Sequence, residues 1–144
     1  MKLELCGGHL CPPDAVNLDP VHGQNEWRRL AQSAPWPCEP ETFDSIMASH
    51  VMEHIPAGQD RINVMNEAWR VIKPGGVFTI IVPLMPSWQA LADPTHVSFW
   101  CPQSLEYFTG RLSAQADYGI KYWDAEAMIV EDEWLGTWKG TKRS

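Results

Sequence analysis

The middle of the chain reads as a strand, a helix and a second strand, and this order restricts the fold more than any other feature. Residues Val77 to Val82 are apolar almost without a break, as in a parallel strand covered on both faces. Phe43 to Ala48 is a shorter segment of the same kind. Between these two segments, apolar residues at helical spacing predict one face of a helix. These residues are Ile62, Met65, Trp69 and Ile72. The pattern predicts a βαβ unit, and therefore an α/β fold with a parallel sheet.

Turn residues predict where this helix ends. Pro74 disfavours helical geometry at Lys73, and the two glycines that follow allow positive φ, so the chain is predicted to turn there into the next strand. Polar residues, Glu67 among them, fall on the face of the helix opposite the apolar one. Ligands of open α/β sheets bind at the carboxyl ends of the parallel strands. Function is therefore expected in residues 49–54 and in the residues after Pro83.

Length, charge and cysteine content exclude several classes of protein. At 144 residues and 44% hydrophobic, the chain is predicted to form a single domain over residues 1–144. The net charge of -7 argues against an electrostatic grip on nucleic acid, so a small-molecule partner fits better. The start lacks the apolar stretch of a signal peptide, and the run Val77 to Leu84 is too short to span a bilayer. We therefore predict a cytoplasmic protein without membrane contact, whose four cysteines stay reduced.

The amino end predicts two short strands with an unusually short connection. The strands are Lys2 to Leu5 and Ala15 to Leu18, and the roughly ten residues between them are too few for the usual crossover helix. Farther along, a short helix is predicted at Gln103 to Phe108 and a late strand at Ala127 to Asp132. The basic residues within Lys139 to Arg143 are interpreted as a solvated tail.

The first two predicted strands carry the elements of a nucleoside site. Glycines after a strand let the backbone approach a ligand closely, and an acidic residue at the end of the next strand accepts hydrogen bonds from ribose hydroxyls. Gly7 and Gly8 follow the first strand, and Asp19 ends the second. The full GxGxxG motif and a following helix amino terminus, which would receive a phosphate, are both missing. A nucleoside without phosphate fits better, which favours S-adenosylmethionine over NAD.

Five segments together resemble a known family. LELCGG, VNLD, FDSIMASHVMEHI, EAWRVIKPGGVFTIIVP and DPTHVSFWCPQSLEYF are similar, in this order, to class I S-adenosylmethionine-dependent methyltransferases of the compact methyltransferase-domain group. The resemblance covers roughly the first three quarters of the chain. It implies a Rossmann-like three-layer α/β sandwich with a mostly parallel sheet and an antiparallel strand near the carboxyl end. The short first crossover makes this a minimal version of that fold.

The resemblance also implies which residues bind the cofactor. Glu4 to Gly8 would line its methionine and ribose side, Asp19 would hold the ribose hydroxyls, and the loop around Pro35 would lie near the adenine. The implied cofactor-binding residues are Glu4, Leu5, Cys6, Gly7, Gly8, Asp19, Pro35, Trp36, Ser49 and His50. The chain departs from the family where Cys6 replaces the usual first glycine and Leu10 replaces the third. A cysteine there is expected to crowd the cofactor or to shift the loop.

Methyl transfer needs a base only when the acceptor must lose a proton. His96 is the first candidate, because its loop follows the Val77 to Val82 strand and is expected to overhang the cofactor, and His50 is the second. Each also has a structural interpretation, in which the ring holds a loop by a backbone hydrogen bond. Glu53 and His54 are interpreted as a loop pair that anchors the helix start.

Three functions remain open from the sequence. The first is a methyltransferase acting on a small molecule or sugar, since the motif of DNA amino-methyltransferases is absent at Ser49. The second is an inactive cofactor-binding or scaffold protein with the same fold. The third is a nicotinamide-dependent oxidoreductase. No metal is predicted, because Cys6, His9 and Cys11 lack a fourth ligand. The many tryptophans would also suit a homodimer interface.

Overall fold

The chain folds around one mixed β-sheet. The computed structural model describes residues 1–111, 117–132 and 134–143. The strands are β1 Lys2–Leu5, β2 Ala15–Leu18, β3 Phe43–Ser49, β4 Ile72–Pro83, β5 Asp124–Ala125, β6 Ile129–Glu131 and β7 Leu135–Thr141. The helices are α1 Gln59–Val71 and α2 Trp88–Leu91, with 3-10 turns at Gly8–Leu10, Asn25–Trp27, Met52–His54 and Pro102–Phe108.

The sheet combines a parallel half and an antiparallel half. Its strand order is β2-β1-β3-β4-β7-β5, and β6 also pairs with β7. The pairs β1–β2, β1–β3 and β3–β4 are parallel, whereas β7 runs antiparallel to β4, β5 and β6. The predicted Rossmann-like α/β class, with antiparallel pairing near the carboxyl end, is confirmed. Within the described residues, no helix has the length and hydrophobicity that a membrane span needs.

The shortened first crossover is also confirmed. β1 and β2 pair directly in parallel, with Leu3 opposite Val16 and Leu5 opposite Leu18. The connection holds only the single 3-10 turn Gly8–Leu10, which replaces the helix of an ordinary crossover. The glycine turn that follows β1 therefore lies beside the end of β2 without an intervening helix.

The predicted end of the long helix was placed too late. α1 ends at Val71, and Ile72 already pairs with Phe43 as the first residue of β4. The register then jumps to Ser45 opposite Val77, so the residues between Ile72 and Val77 bulge out of the ladder. Gly76 fits there because a Cβ atom would lie 2.6 Å from the Cγ1 atom of Ile72. The glycines thus form a bulge inside β4 and not a turn before it.

The basic carboxyl end was interpreted as a solvated tail, which is wrong for Lys142, whereas Lys139 and Arg143 are exposed. Lys139 lies within β7, opposite Thr79 of β4. The Lys142 side chain is 5% exposed, and its Nζ donates to Glu41 Oε1 and to the Ile72 carbonyl, both at 3.0 Å. A buried ammonium needs such partners, and here they come from residues distant in sequence.

A buried carboxylate on α1 holds the loop before β3 in place. Glu67, assigned to the polar face from its spacing, is only 7% exposed. Its Oε1 accepts hydrogen bonds from the backbone N–H of Trp36 at 2.7 Å and from Arg70 Nε at 2.9 Å. Arg70 in turn donates to the carbonyl of Cys38 at 2.9 Å. The polar face of α1 therefore anchors a loop instead of facing solvent.

Replacing Glu67 by alanine should destabilise the fold strongly. Glu67→Ala leaves the Trp36 N–H and the Arg70 guanidinium without their acceptor, at a cost of about 2 to 4 kcal/mol in the free energy of unfolding. Urea unfolding at neutral pH measures the change. The exposed Glu39 offers the control, because Glu39→Ala should change stability by less than about 0.5 kcal/mol. Equal effects of the two variants would contradict this role of Glu67.

Candidate active site

The carboxyl ends of the parallel strands bring the predicted functional segments to one edge of the sheet. β1 ends at the glycine turn, β3 ends at Ser49, and β4 ends at Pro83. The pairing of Ser49 with Ile81 sets the ends of β3 and β4 side by side. This edge is therefore where a ligand of such a sheet is expected.

The glycine turn after β1 is held by the end of β2. The N–H of Cys6 donates to the Leu18 carbonyl at 2.8 Å, and the N–H of Gly7 donates to Asn17 Oδ1 at 3.1 Å. Asn17 also donates from Nδ2 to the Gly8 carbonyl at 2.9 Å. These bonds fix the turn without help from a helix.

Cys6 takes the backbone conformation of the glycine it replaces. Its φ is 50°, in the left-handed region, which costs a residue with a Cβ atom about 1 to 2 kcal/mol. Burial, and to a lesser degree the charge of Asp19, raises the pKa of the Cys6 thiol to about 11. The thiol is therefore neutral at physiological pH. The departure expected of the loop at Cys6 is a local backbone strain.

Gly8 leaves its backbone open to a ligand. It has a φ of 57°, and a Cβ atom built there would meet nothing within 4 Å. At Gly7, by contrast, a Cβ atom would lie 3.0 Å from the Cβ of Cys11 and 3.1 Å from that of Glu4. The turn is thus packed on one side and open on the other, which suits close approach of a nucleoside.

Asp19 is buried and already engaged by backbone donors. It is 5% exposed, and its Oδ1 accepts from the N–H groups of Val21 and His22, both at 2.7 Å. Its Oδ2 accepts from the Gly8 N–H at 3.1 Å. Burial alone would raise the pKa of Asp19, but the backbone donors of His22, Val21 and Gly8 outweigh it and lower the pKa. The carboxylate therefore ties the ends of β1 and β2 together.

A cavity of about 550 Å³ borders the glycine turn along β2. Gly8 and Asn17 lie at its margin. The other lining residues come from β2 and from the segments on either side of it, and they are Cys11, Pro12, Pro13, Ala15, Val16, His22, Gln24, Asn25, Glu26 and Trp27. None of the histidines at the ends of β3 and β4 contributes to this cavity.

The remaining predicted binding residues differ in their positions. Leu5 is a core residue, 1% exposed, and Glu4 is half-buried, with burial raising the pKa of its carboxyl. Ser49 is exposed at the end of β3. Trp36 is 2% exposed and packs beside the last turn of α1, where the Arg70 guanidinium donates to its carbonyl at 3.1 Å.

The last turn of α1 lies near the start of β3. The carbonyl of Arg70 accepts from Glu41 N–H, two residues before β3 begins at Phe43. The structure therefore places Pro35 and Trp36 toward the amino ends of the strands, and it does not bring them to the edge that carries the glycine turn.

A buried glutamate follows β3, where the sequence indicated only a loop pair. The Glu53 side chain is 2% exposed, and neither of its carboxylate oxygens has a hydrogen-bond partner among the described residues. His50 Nδ1 lies 3.4 Å from Glu53 Oε1, and His96 Nε2 lies 4.0 Å from the same oxygen. Two imidazoles predicted as bases thus converge on a carboxylate that sequence reasoning had not assigned to function.

His50 is the more accessible of the two predicted bases. Its side chain is 58% exposed, and its backbone N–H donates to the Ile81 carbonyl at 2.9 Å. Its φ of 55° is in the left-handed region, which is uncommon outside glycine and clusters at functional sites. Since Nδ1 faces Glu53, Nε2 is the ring nitrogen available to a ligand.

His96 lies deeper, in a loop that is hydrogen-bonded to the turn after β3. Its side chain is 8% exposed, and its Nδ1 donates to the Ala90 carbonyl at 2.9 Å. The N–H groups of Val97 and Ser98 donate to the Glu53 carbonyl at 2.9 and 3.1 Å. The loop after β4 is therefore fastened to the turn after β3. In the same loop region, Trp100 is buried and Trp88 is 72% exposed.

Comparison with known families matches this architecture. The family model described as a methyltransferase domain matches residues 17–80, which span the second half of β2, all of β3 and α1, and most of β4. The glycine turn and the His96 loop lie outside the matched segment. No curated protein matches the chain.

Solved structures with the same fold come from archaea and bacteria. A SAM-dependent methyltransferase from Archaeoglobus fulgidus is 14% identical, with a TM-score of 0.67 over 98% of this chain and 85% of that one. A possible histamine N-methyltransferase from Thermotoga maritima is 15% identical, with a TM-score of 0.64 over 99% and 82%. A Haloferax volcanii methyltransferase in complex with its activator Trm112 is 14% identical, with a TM-score of 0.62 over 99% and 82%.

The chain therefore has the Rossmann-like fold of the class I S-adenosylmethionine-dependent methyltransferases, and the resemblance found in its sequence is confirmed. The cofactor that the family and the fold imply is S-adenosylmethionine. Methyl transfer is the reaction class they support, without identifying an acceptor. Nothing among these comparisons favours the oxidoreductase alternative.

Neutralising Asp19 should destabilise the fold in a pH-dependent way. Because its folded-state pKa lies below the usual value of 3.8, the charged carboxylate stabilises the fold above that pH, and this stabilisation is lost as pH falls through the folded-state pKa. Asp19→Asn should lose about 1 to 3 kcal/mol at pH 7 and less near pH 3. Urea unfolding of both proteins at both pH values measures this. A difference independent of pH would contradict the charge-based role.

Proposed function

We propose that the chain transfers a methyl group from S-adenosylmethionine to a hydroxyl or amino group of a small-molecule or sugar acceptor. The observation that carries the proposal is the convergence of His50 and His96 on the buried Glu53 at the edge where the cofactor fold binds its ligands. A protein that only bound the cofactor would have no need for titratable groups gathered there. The acidic net charge of -7 also favours a small acceptor over nucleic acid.

The glycine turn is the proposed cofactor cradle. The open backbone at Gly8 fits close approach of the nucleoside, and Asp19 holds that backbone in position through the Gly8 N–H. We keep Glu4, Leu5, Cys6 and Gly7 as residues that shape this cradle. Asp19 also has acceptor capacity left for a ribose hydroxyl, because a carboxylate accepts about four hydrogen bonds and three are used.

S-adenosylmethionine supplies an electrophilic methyl group on its sulfonium, so the acceptor's lone pair forms the new bond as the bond from sulfur to carbon breaks. The chain has to orient the acceptor and to take up the proton that it loses. His50 suits the second task, because its side chain is 58% exposed and its Nδ1 lies 3.4 Å from Glu53 Oε1, which leaves Nε2 for the acceptor. His96, the first candidate from the sequence, is nearly buried and stays a prediction as a base.

The inactive-scaffold alternative differs in its outcome. It predicts cofactor binding without turnover, and the strained backbone of Cys6 is the observation that favours it. A single domain over residues 1–144, a homodimer and a cytoplasmic location stay predictions. All four cysteines are unpaired in the structure.

Replacing His50 by asparagine should abolish turnover and spare the fold. Asparagine tolerates the left-handed backbone at this position, and the lost base should lower the rate by about 100-fold or more. The assay follows conversion of methyl-labelled S-adenosylmethionine in the presence of the small-molecule fraction of a cell extract. Binding of S-adenosylhomocysteine should stay unchanged.

Chemical rescue separates the base role from a structural one. Because the His50 side chain is 58% exposed, imidazole added to His50→Asn should reach the vacated position and restore part of the turnover. Full turnover of the variant without imidazole would contradict the base assignment. Absence of turnover in the wild-type protein, with cofactor binding intact, would favour the scaffold alternative.

A further inference from the structure

We propose that Glu53, His54 and His96 form a binding site for a divalent transition metal ion of the zinc type. Each of these residues offers one ligand atom, and the three atoms lie within 4.8 Å of one another. The first two residues belong to the 3-10 turn after β3, and His96 comes from the loop after β4. We refer to these three residues as the Glu53 cluster.

The unsatisfied carboxylate of Glu53 is the strongest argument for a cation. The side chain is 2% exposed, and both oxygens lack a hydrogen-bond partner among the described residues. A buried carboxylate without a partner is unfavourable by several kcal/mol, and proteins normally pair such groups or use them to coordinate metal. Among the described residues, the groups within salt-bridge distance of the Glu53 carboxylate are the imidazole rings of His50 and His96.

His96 is oriented in the manner of a metal-ligating histidine. The Ala90 carbonyl can only accept, so Nδ1 of His96 carries the hydrogen and Nε2 presents a lone pair. That Nε2 lies 4.0 Å from Glu53 Oε1. Two atoms that bind one tetrahedral zinc ion at about 2.1 Å lie about 3.4 Å apart, so this pair has to approach by about 0.6 Å to share the ion. The Ala90 carbonyl is the kind of outer hydrogen-bond partner that commonly fixes the orientation of a metal-ligating histidine ring.

His54 is fixed by the same loop. Its Nδ1 lies 3.3 Å from the Thr95 carbonyl and 3.1 Å from Thr95 Oγ1, and that hydroxyl donates to Asp93 at 2.6 Å. The Nδ1 hydrogen is therefore directed at Thr95, which leaves Nε2 as the ligand atom. The rings of His54 and His96 meet edge to face at a centroid distance of 4.8 Å.

The donor set selects the class of metal. Two imidazoles and one carboxylate suit zinc, iron, cobalt or nickel, whereas magnesium and calcium prefer oxygen ligands throughout. Three protein ligands leave a coordination position open, as in catalytic zinc sites. If the proposed methyl transfer holds, an acceptor oxygen in that position would lose its proton more easily, and His50 would take the proton up.

Calorimetric titration of the chelator-treated protein with zinc chloride tests the site directly. Wild-type protein should bind one zinc ion per chain. Glu53→Gln and His96→Gln should each weaken binding by at least about 100-fold, because each removes a direct ligand. His22→Gln is the matched control, since this histidine lies beside the cavity along β2 and outside the cluster. It should bind zinc as the wild type does.

Cobalt(II) serves as a spectroscopic second probe. Wild-type protein should develop visible absorption of a site with nitrogen and oxygen ligands, without the charge-transfer band of a thiolate, and Glu53→Gln should not. The metal proposal is overturned if wild type and Glu53→Gln bind zinc equally, if magnesium binds as tightly as zinc, or if only His22→Gln loses binding. The last result would locate the ion near the cysteines of the amino-terminal loops instead.

Failure of this proposal is distinguishable from failure of the proposed function. Binding of S-adenosylhomocysteine is measured with the same proteins in the absence of metal, and Glu53→Gln should retain it. Absence of zinc binding by the wild-type protein, with intact cofactor binding and turnover, would overturn only the metal site. Thermal unfolding with and without zinc adds a readout independent of activity, because zinc should raise the midpoint of wild type and leave that of Glu53→Gln unchanged.

Discussion

The parallel pairing of β3 with β4 is the constraint on which the rest of the structure depends. With Ser49 opposite Ile81, both strands end at the same edge, and the turn after one meets the loop after the other. The Glu53 carbonyl then accepts the N–H groups of Val97 and Ser98 and fixes that loop. Because these bonds involve backbone on both sides, they hold the loop whatever side chains stand at positions 53, 97 and 98.

Most of the fold was predictable because its signals are local. The apolar run of β4, the spacing of α1 and the short hop from β1 to β2 all fall within windows of a few residues. The observed bounds of β1 and β2 agree with the prediction, whereas β4 begins at Ile72 instead of Val77. The errors occurred where a hydrogen-bond or strand partner distant in sequence determines the structure of a residue. Lys142 is buried because Glu41 and the Ile72 carbonyl receive it, and the glycines of the bulge follow from pairing with β3.

The site was predictable only in part, for the same reason. Its location followed from strand order, and both His50 and His96 were identified as candidates. Glu53 was missed because a Glu-His pair after a strand looks like an ordinary loop until the residues around His96 cover it. In the sequence, Glu53 is recognisable only as an acidic residue four positions after the end of β3. That position indicates function only once this edge of the sheet is known to hold the candidate site. The backbones of Cys6 and His50 are in the left-handed region, which is unfavourable for residues other than glycine. The fold therefore loses some stability at this edge.

The most direct test of the account is calorimetric titration of the protein with S-adenosylhomocysteine and, separately, with NADH. A single site for the first ligand and none for the second is the predicted result. Gly8→Asn should weaken the first interaction by at least about tenfold, because asparagine tolerates the backbone of Gly8 and fills the open space above it. Binding of NADH alone, or equal affinity of the variant for S-adenosylhomocysteine, would contradict the assignment of the glycine turn as the cofactor cradle.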